Sequence, residues 1–205
     1  MPMKGIDKFY LHLFVALIPW AFFSSCLTGG CAAIINQQDM VKKIYFPREV
    51  LPIAYVTSQF VNMLFSFIVV FVVLFISGVG VKLDALLCLP LVMFVQYIFC
   101  VGVTMLTSAV TVYLRDVQQI LSVLSLALMY ASPVIYSVNM IPEQIRSIYM
   151  LNPMSVLIVA YRDILYYRQI PDMEELGMAS IVSILILIVG YLSFNKLKRR
   201  FVEEL

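Results

Sequence analysis

At 205 residues, 62% hydrophobic and 13% charged, with a mean hydropathy of +0.97, the chain is too apolar for a soluble domain, which carries roughly 25% charged residues. A formal net charge of +2, with no basic run interleaved with aromatics in a soluble stretch, excludes a nucleic-acid-binding module. One histidine, His12, and four cysteines lying mostly in apolar stretches (Cys26, Cys31, Cys88 and Cys100) offer no metal-ligand spacing.

A bilayer crossing takes about 20 mostly apolar residues, so the composition predicts an all-α polytopic membrane bundle of about five spans, forming a single domain. The predicted spans are residues 9–27, 51–77, 83–114, 120–137 and 177–195. The first carries Pro19 and Trp20, and the second has Gln59 and Asn62 in its first half. The third is too long for one straight crossing, and Pro90 and Gly102 are the expected bends. The fourth ends near Pro133, and the fifth runs into the basic tail KLKRR.

The one long polar interruption in the first half is NQQDMVKKIYFPREVLP, residues 36–52. Asp39 and Lys43 form an i,i+4 pair with the acid on the N-terminal side, the better orientation in a helix. Pro47 breaks that helix and suits the first turn of the next, where Glu49 meets the positive end of the dipole. The stretch reads as a short interfacial helix and a corner, with Lys42, Lys43, Tyr45, Phe46 and Arg48 beside it. Such a corner lies on lipid headgroups or plugs into a partner.

Five spans put this corner, the Arg115 turn and the C-terminal tail on one face. The tail places Lys196, Lys198, Arg199 and Arg200 close behind a span end, which predicts that this face is cytoplasmic. The N-terminus, with Lys4 and Lys8, is then external.

The connection over residues 138–176 is not an ordinary loop. Residues 142–150 and 153–167 both read as short helices, the second opened by Asn152 as cap and Pro153 in the first turn. About 15 residues rise roughly 22 Å, too short to cross a bilayer. The helix is also too apolar to lie wholly in water. It either re-enters the bundle, carrying Tyr161, Arg162 and Asp163 to an outer gate, or rests on the outer leaflet. An arginine at that depth needs a partner, and Asp163, water or an anionic substrate group are the candidates. Gln59, Asn62, Gln96, Thr104, Thr107 and Ser108 either line a polar path or bond neighbouring helices. Tyr136 belongs to an outer tyrosine cluster that suits a bilayer interface or the apolar faces of sugars.

Three sequence words carry a resemblance: LIPWAFFSSCL at residues 17–27, VKKIYFPREVLP at 41–52 and LNPMSVLIVAYRDIL at 151–165. In this order and spacing, over essentially the whole chain, they resemble the membrane (permease) subunits of ABC exporters for O-antigen, capsule and teichoic acid. The resemblance implies ATP-driven export of a lipid-linked polysaccharide or polyol phosphate across the bacterial cytoplasmic membrane. It implies a separate ATPase subunit, which binds ATP and Mg and docks at Lys42, Lys43, Tyr45, Phe46, Pro47, Arg48 and Glu49. A second copy completes the family's transporter as a homodimer, with a conduit for which Gln59, Asn62, Gln96 and Tyr136 are the candidates here. Family members also have one more span ahead of the segment matching residues 9–27, so this chain is expected to lack that helix, by truncation or choice of start codon, the alternative being a genuine five-span protein.

No GxxxxGK[ST] phosphate loop, HExxH motif or paired carboxylate within a span occurs, so neither ATP binding by that route nor catalysis is expected of this chain. No cofactor is expected in it. An exporter of drugs or lipids from the same broad class, and a non-transporting membrane scaffold, remain the alternatives.

Overall fold

The computed structural model describes residues 9–43, 46–78, 80, 82–136, 149 and 152–204. Among them every regular element is a helix: α1 (Phe9–Thr28), α2 (Gln38–Lys43), α3 (Val50–Ile76), α4 (Leu83–Leu86), α5 (Leu89–Tyr113), α6 (Val117–Ala131), α7 (Pro153–Arg162), α8 (Met173–Leu197) and the single turn α9 (Phe201–Glu204). Four segments are long and apolar enough to cross a membrane: Phe9–Ala32, Val50–Ile76, Leu83–Tyr113 and Met173–Arg200. The fourth expected span, residues 120–137, appears as the 15-residue α6, followed by a turn rather than more helix. The all-α membrane bundle is therefore observed, with the fourth crossing shorter than the sequence predicts.

Two other boundaries differ from expectation. The long third segment breaks at Leu87–Cys88, which leaves Pro90 in the first turn of α5, where its missing N–H costs nothing. Gly102 does not bend α5, which runs continuously through it. α8 begins earlier than its apolar run because Asp172 caps it, accepting from the amides of Glu174 and Glu175 at 2.9 and 3.3 Å. Acids in a first turn are stabilised by the helix dipole, so charge marks this start instead of delaying it.

The bundle is organised around α5. Fifteen of its 25 residues are buried, against six of 27 in α3, so α5 is the axis and α3 a flank. The six in α3 (Pro52, Val56, Met63, Phe67, Val70 and Leu74) follow a helical period, and its other faces expose Phe65, Ile68, Val69 and Phe75. Exposed apolar side chains of this kind face lipid in a membrane protein.

α5 packs most extensively on α8, through two glycines. A Cβ on Gly102 would stand 2.6 Å from the Leu187 amide nitrogen, and one on Gly190 would stand 2.3 Å from the Gly102 carbonyl oxygen. Both obstacles are backbone, which has no rotamer to move away. Small residues let membrane helices approach this closely when no hydrophobic force drives them together. The helices are also tied by hydrogen bonds. The Ser24 and Ser125 hydroxyls share one of 2.8 Å between α1 and α6, and Thr104 donates to the Cys26 carbonyl at 3.2 Å between α5 and α1. Thr107 and Ser108 bond carbonyls of their own helix.

Gly102→Ala or Gly190→Ala should therefore lower stability by about 1–3 kcal/mol through overpacking. Gly177→Ala, at a position with nothing within 4 Å, should leave it unchanged or slightly raised. Thermal unfolding of the three detergent-solubilised variants reads the difference.

Candidate functional site

Three regions hold the predicted functional residues: a polar corner at one end of the bundle, a cleft along its flank and a buried short helix at the other end. The corner follows α2, which carries Asp39 in its first turn and Lys42 and Lys43 in its last, matching the helix dipole at both ends. Tyr45 lies outside the described residues. Phe46 is half-buried against the core. Pro47 does not enter the next helix as expected: Val50 and Leu51 donate to the carbonyls of Pro47 and Arg48 at 3.2 Å, making a turn ahead of α3. Pro52 takes the first-turn place instead.

Arg48 and Glu49 turn toward the C-terminal end of the chain. A guanidinium nitrogen of Arg48 donates to the Lys198 carbonyl. In return the Lys198 ammonium meets both Glu49 carboxylate oxygens, at 3.2 and 3.3 Å. The Tyr113 hydroxyl, at the end of α5, donates to the Leu197 carbonyl at 2.8 Å. The corner, the end of α5 and the basic tail thus share one end of the bundle. Hydrogen bonding to its own backbone amide and the nearby Lys198 ammonium hold the Glu49 carboxyl below its ordinary range. Its contribution is complete above that ordinary range and is lost as pH falls through the lowered value, so the Glu49 carboxylate is charged at neutral pH.

Along the flank, α1 and α3 diverge around a cleft of about 270 Å³. Gln59, Asn62 and Ser66 from α3 and Ser25 from α1 face it, among Phe14, Leu17 and Phe22. Gln59 accepts a bond of 3.4 Å from the Asn62 amide. Spacings of three and four residues set these polar groups in a row, where hydrocarbon offers them nothing to bond. Gln96 is not in this row. It is wholly enclosed, donating to the Pro19 carbonyl at 2.7 Å and accepting from the Tyr161 hydroxyl at 2.8 Å. Its amide ties the proline turn of α1 to α5 and α7.

At the far end, α7 opens as predicted. Asn152 accepts from the Met154 amide at 3.0 Å and donates to the Ser132 hydroxyl at 3.1 Å, with Pro153 next. Nine of the ten residues of α7 are buried, which rules out a helix resting on the leaflet surface. Of residues 142–150, expected to form a companion helix, all but Tyr149 lie outside the described residues. Tyr161, expected at an exit, is fully enclosed and stacks on Phe67 with ring centroids 5.5 Å apart.

Arg162 also departs from expectation. It is 2% exposed and bonds backbone rather than Asp163. It donates to the carbonyls of Pro133, Val134 and Tyr136 at 2.5, 2.6 and 3.0 Å, and to that of His12 at 3.4 Å. Asp163 instead accepts from the Gln169 side chain at 2.9 Å. The chain just beyond α6 leaves the helix, so its carbonyls lose their intrahelical donors, and the guanidinium replaces them. Tyr136 donates its hydroxyl to the Tyr130 carbonyl at 2.9 Å and meets the Tyr149 ring edge-on. His12 is enclosed beneath, edge-on to Tyr166 at 5.3 Å.

The family model for the ABC-2 type transporter matches residues 3–166, from ahead of α1 to the turn after α7. The chain belongs to the ABC-2 type transporter family. Among curated relatives, an O-antigen export system permease protein RfbA of Klebsiella pneumoniae is 30% identical over 98% of this chain and 77% of its own length. A second protein of that name from the same species is 31% identical with the same coverage. An RfbA of Myxococcus xanthus is 32% identical over 98% of this chain and 78% of its own.

Within this transporter chain, sequence reasoning missed the tail's contact with Arg48 and Glu49, the glycine contact of α5 with α8, and the carbonyl partners of Arg162. The signal for the glycine contact was present, since Gly102 and Gly190 interrupt otherwise bulky spans. Contacts between Glu49 and Lys198, 149 positions apart, leave no local pattern.

A lysine at position 162 keeps the charge, but its three donors sit on one nitrogen, which cannot stand at the three places from which Nε, Nη1 and Nη2 of Arg162 reach their carbonyls. Arg162→Lys should cost about 3 kcal/mol, because buried acceptors left bare are expensive. Thermal unfolding in detergent should show that loss, whereas an anion-binding role alone would leave stability near wild type.

Proposed function

We propose that this ABC-2 family chain is the membrane subunit of an ATP-driven exporter that moves a lipid-linked polysaccharide or polyol phosphate polymer out across the bacterial cytoplasmic membrane. The observation that carries this reading is likeness to O-antigen export permeases along 98% of the chain. The chain itself does no chemistry in this scheme. A separate ATPase subunit binds ATP and Mg and docks at the corner formed by Lys42, Lys43, Tyr45, Phe46, Pro47, Arg48 and Glu49. The shared end of corner and tail supports a cytoplasmic assignment for both, since Lys42, Lys43, Arg48, Lys196, Lys198, Arg199 and Arg200 gather there.

Two copies form the transporter, because one bundle built around a packed α5 has no room for a polymer. Closed two-fold pairing is the commonest way to assemble two identical chains. The α1–α3 cleft supports a conduit at the shared face: Gln59 and Asn62 line it with one bond of 3.4 Å between them, which leaves amide groups to bond water, substrate or a partner copy, while Ser66 beside them donates to the Asn62 carbonyl at 2.9 Å. The outer gate is the α7 region, in which Asn152, Pro153, Tyr161, Arg162 and Asp163 act as its frame, with Tyr136 at the rim.

Loss of the gene should leave the polymer on its lipid carrier at the cytoplasmic face and absent from the surface. A plasmid copy should restore display, and a hydrolysis-dead ATPase should block that rescue. Replacing Gln59 and Asn62 together with leucine should cut surface polymer at least severalfold while membrane insertion is unchanged. Normal surface polymer in the deletion strain, with altered resistance to lipophilic drugs, would favour the drug-exporter alternative.

A further inference from the structure

The last residues of the chain are more than a basic signal behind a span. After α8 the backbone tightens through Lys198–Arg200 and turns Phe201 back into the bundle, where it is fully buried. The Phe201 ring lies 5.6 Å from Phe194 and 6.3 Å from Tyr113, so an apolar plug anchors the tail to the ends of α5 and α8. Between plug and span, Lys198 makes contacts in both directions. Its carbonyl accepts from Arg48, and its ammonium binds the Glu49 carboxylate. Arg48 and Glu49 are adjacent, so the corner is gripped at two consecutive residues by one residue of the tail.

A turn preceding a long helix has little to fix its shape on its own. Here the backbone contact sets its height relative to α8, and the ion pair sets its rotation. Lys198 and Glu49 are each about a quarter to a third exposed, at 31% and 25%, so water screens the pair and it can be remade after a motion. Arg199 and Arg200 beside it are exposed.

We infer that the C-terminal tail is part of the coupling device: Lys198, a positioning residue, clasps the Arg48–Glu49 corner so that corner and last span move as one body. This rests on the reading that an ATPase docks at the corner. Motion imposed on the corner would then pass through Lys198 to α8, and through the glycine contact to α5, without passing along α3.

The clasp and the function are tested by separate readouts. Trypsin cleavage at Arg199 and Arg200 is followed by mass spectrometry on the solubilised full chain without any ATPase. Surface polymer is measured in cells. Glu49→Lys and Lys198→Glu should each speed tail cleavage and lower export roughly two- to fivefold, as expected for a partly exposed pair. The double exchange should restore both readouts, and Lys198→Arg should retain them. A merely structural loss would not be rescued by exchanging the charges. If either single exchange releases the tail while export stays at wild-type level, or if neither changes cleavage, the inference is overturned and the functional reading is untouched.

Discussion

An arginine bonded to bare backbone sets the terms for the α7 end of this bundle. In hydrocarbon, a carbonyl without a donor costs several kcal/mol, so irregular chain survives at membrane depth only where protein or water serves it. The turn after α6 exposes the carbonyls of Pro133, Val134 and Tyr136 in one small volume, and Arg162 meets all three. α6 can therefore stop after 15 residues, and α7 can enter the bundle without crossing it. The Gln96 amide does comparable service at the proline turn of α1 and holds Tyr161 beside it. Both polar side chains belong to the scaffold. The end they frame is held by buried hydrogen bonds, which suits the proposed gate frame.

The opposite end is built differently. Its contacts are a screened ion pair, a side chain on a carbonyl and an aromatic plug, which are weaker and remakeable. Such an arrangement suits the proposed drive from an ATPase at this end: contacts that can be remade, next to a central pair of helices that could transmit a push. The close glycine contact of α5 and α8 supplies the stiffness between the two ends. The α1–α3 cleft stands to one side of this column, where two copies can meet.

Much of the fold was legible because a bilayer leaves few options. Length and apolarity marked the crossings, and Asn152–Pro153 and Pro47 marked starts and breaks within a few residues. The sequence read less well where apolarity and helix ends part company. Glu174 and Glu175 lie inside α8 because a capped first turn tolerates acids. Site residues were legible as types but not as partners. Arg162 was recognised as needing a partner, yet its partners are carbonyls, three of them 26 to 29 positions back and one 150, and carbonyls carry no signature in a sequence. Gln96, Gln59 and Asn62 look alike as amides in apolar runs. Only packing separates the enclosed one from the pair that faces the cleft.

The proposed transporter requires α7 to be buried near the outer side and the corner to face the cytoplasm. Thiol labelling of intact cells tests it most directly. With Cys26, Cys31, Cys88 and Cys100 replaced by alanine, single cysteines are placed at Ser155, which is fully buried, at the exposed Ile170, and at Lys43. A membrane-impermeant maleimide should label position 170 at once, position 43 only after the membrane is opened, and position 155 in neither case. Labelling at 155 as fast as at 170, or at 43 from outside, would contradict the account.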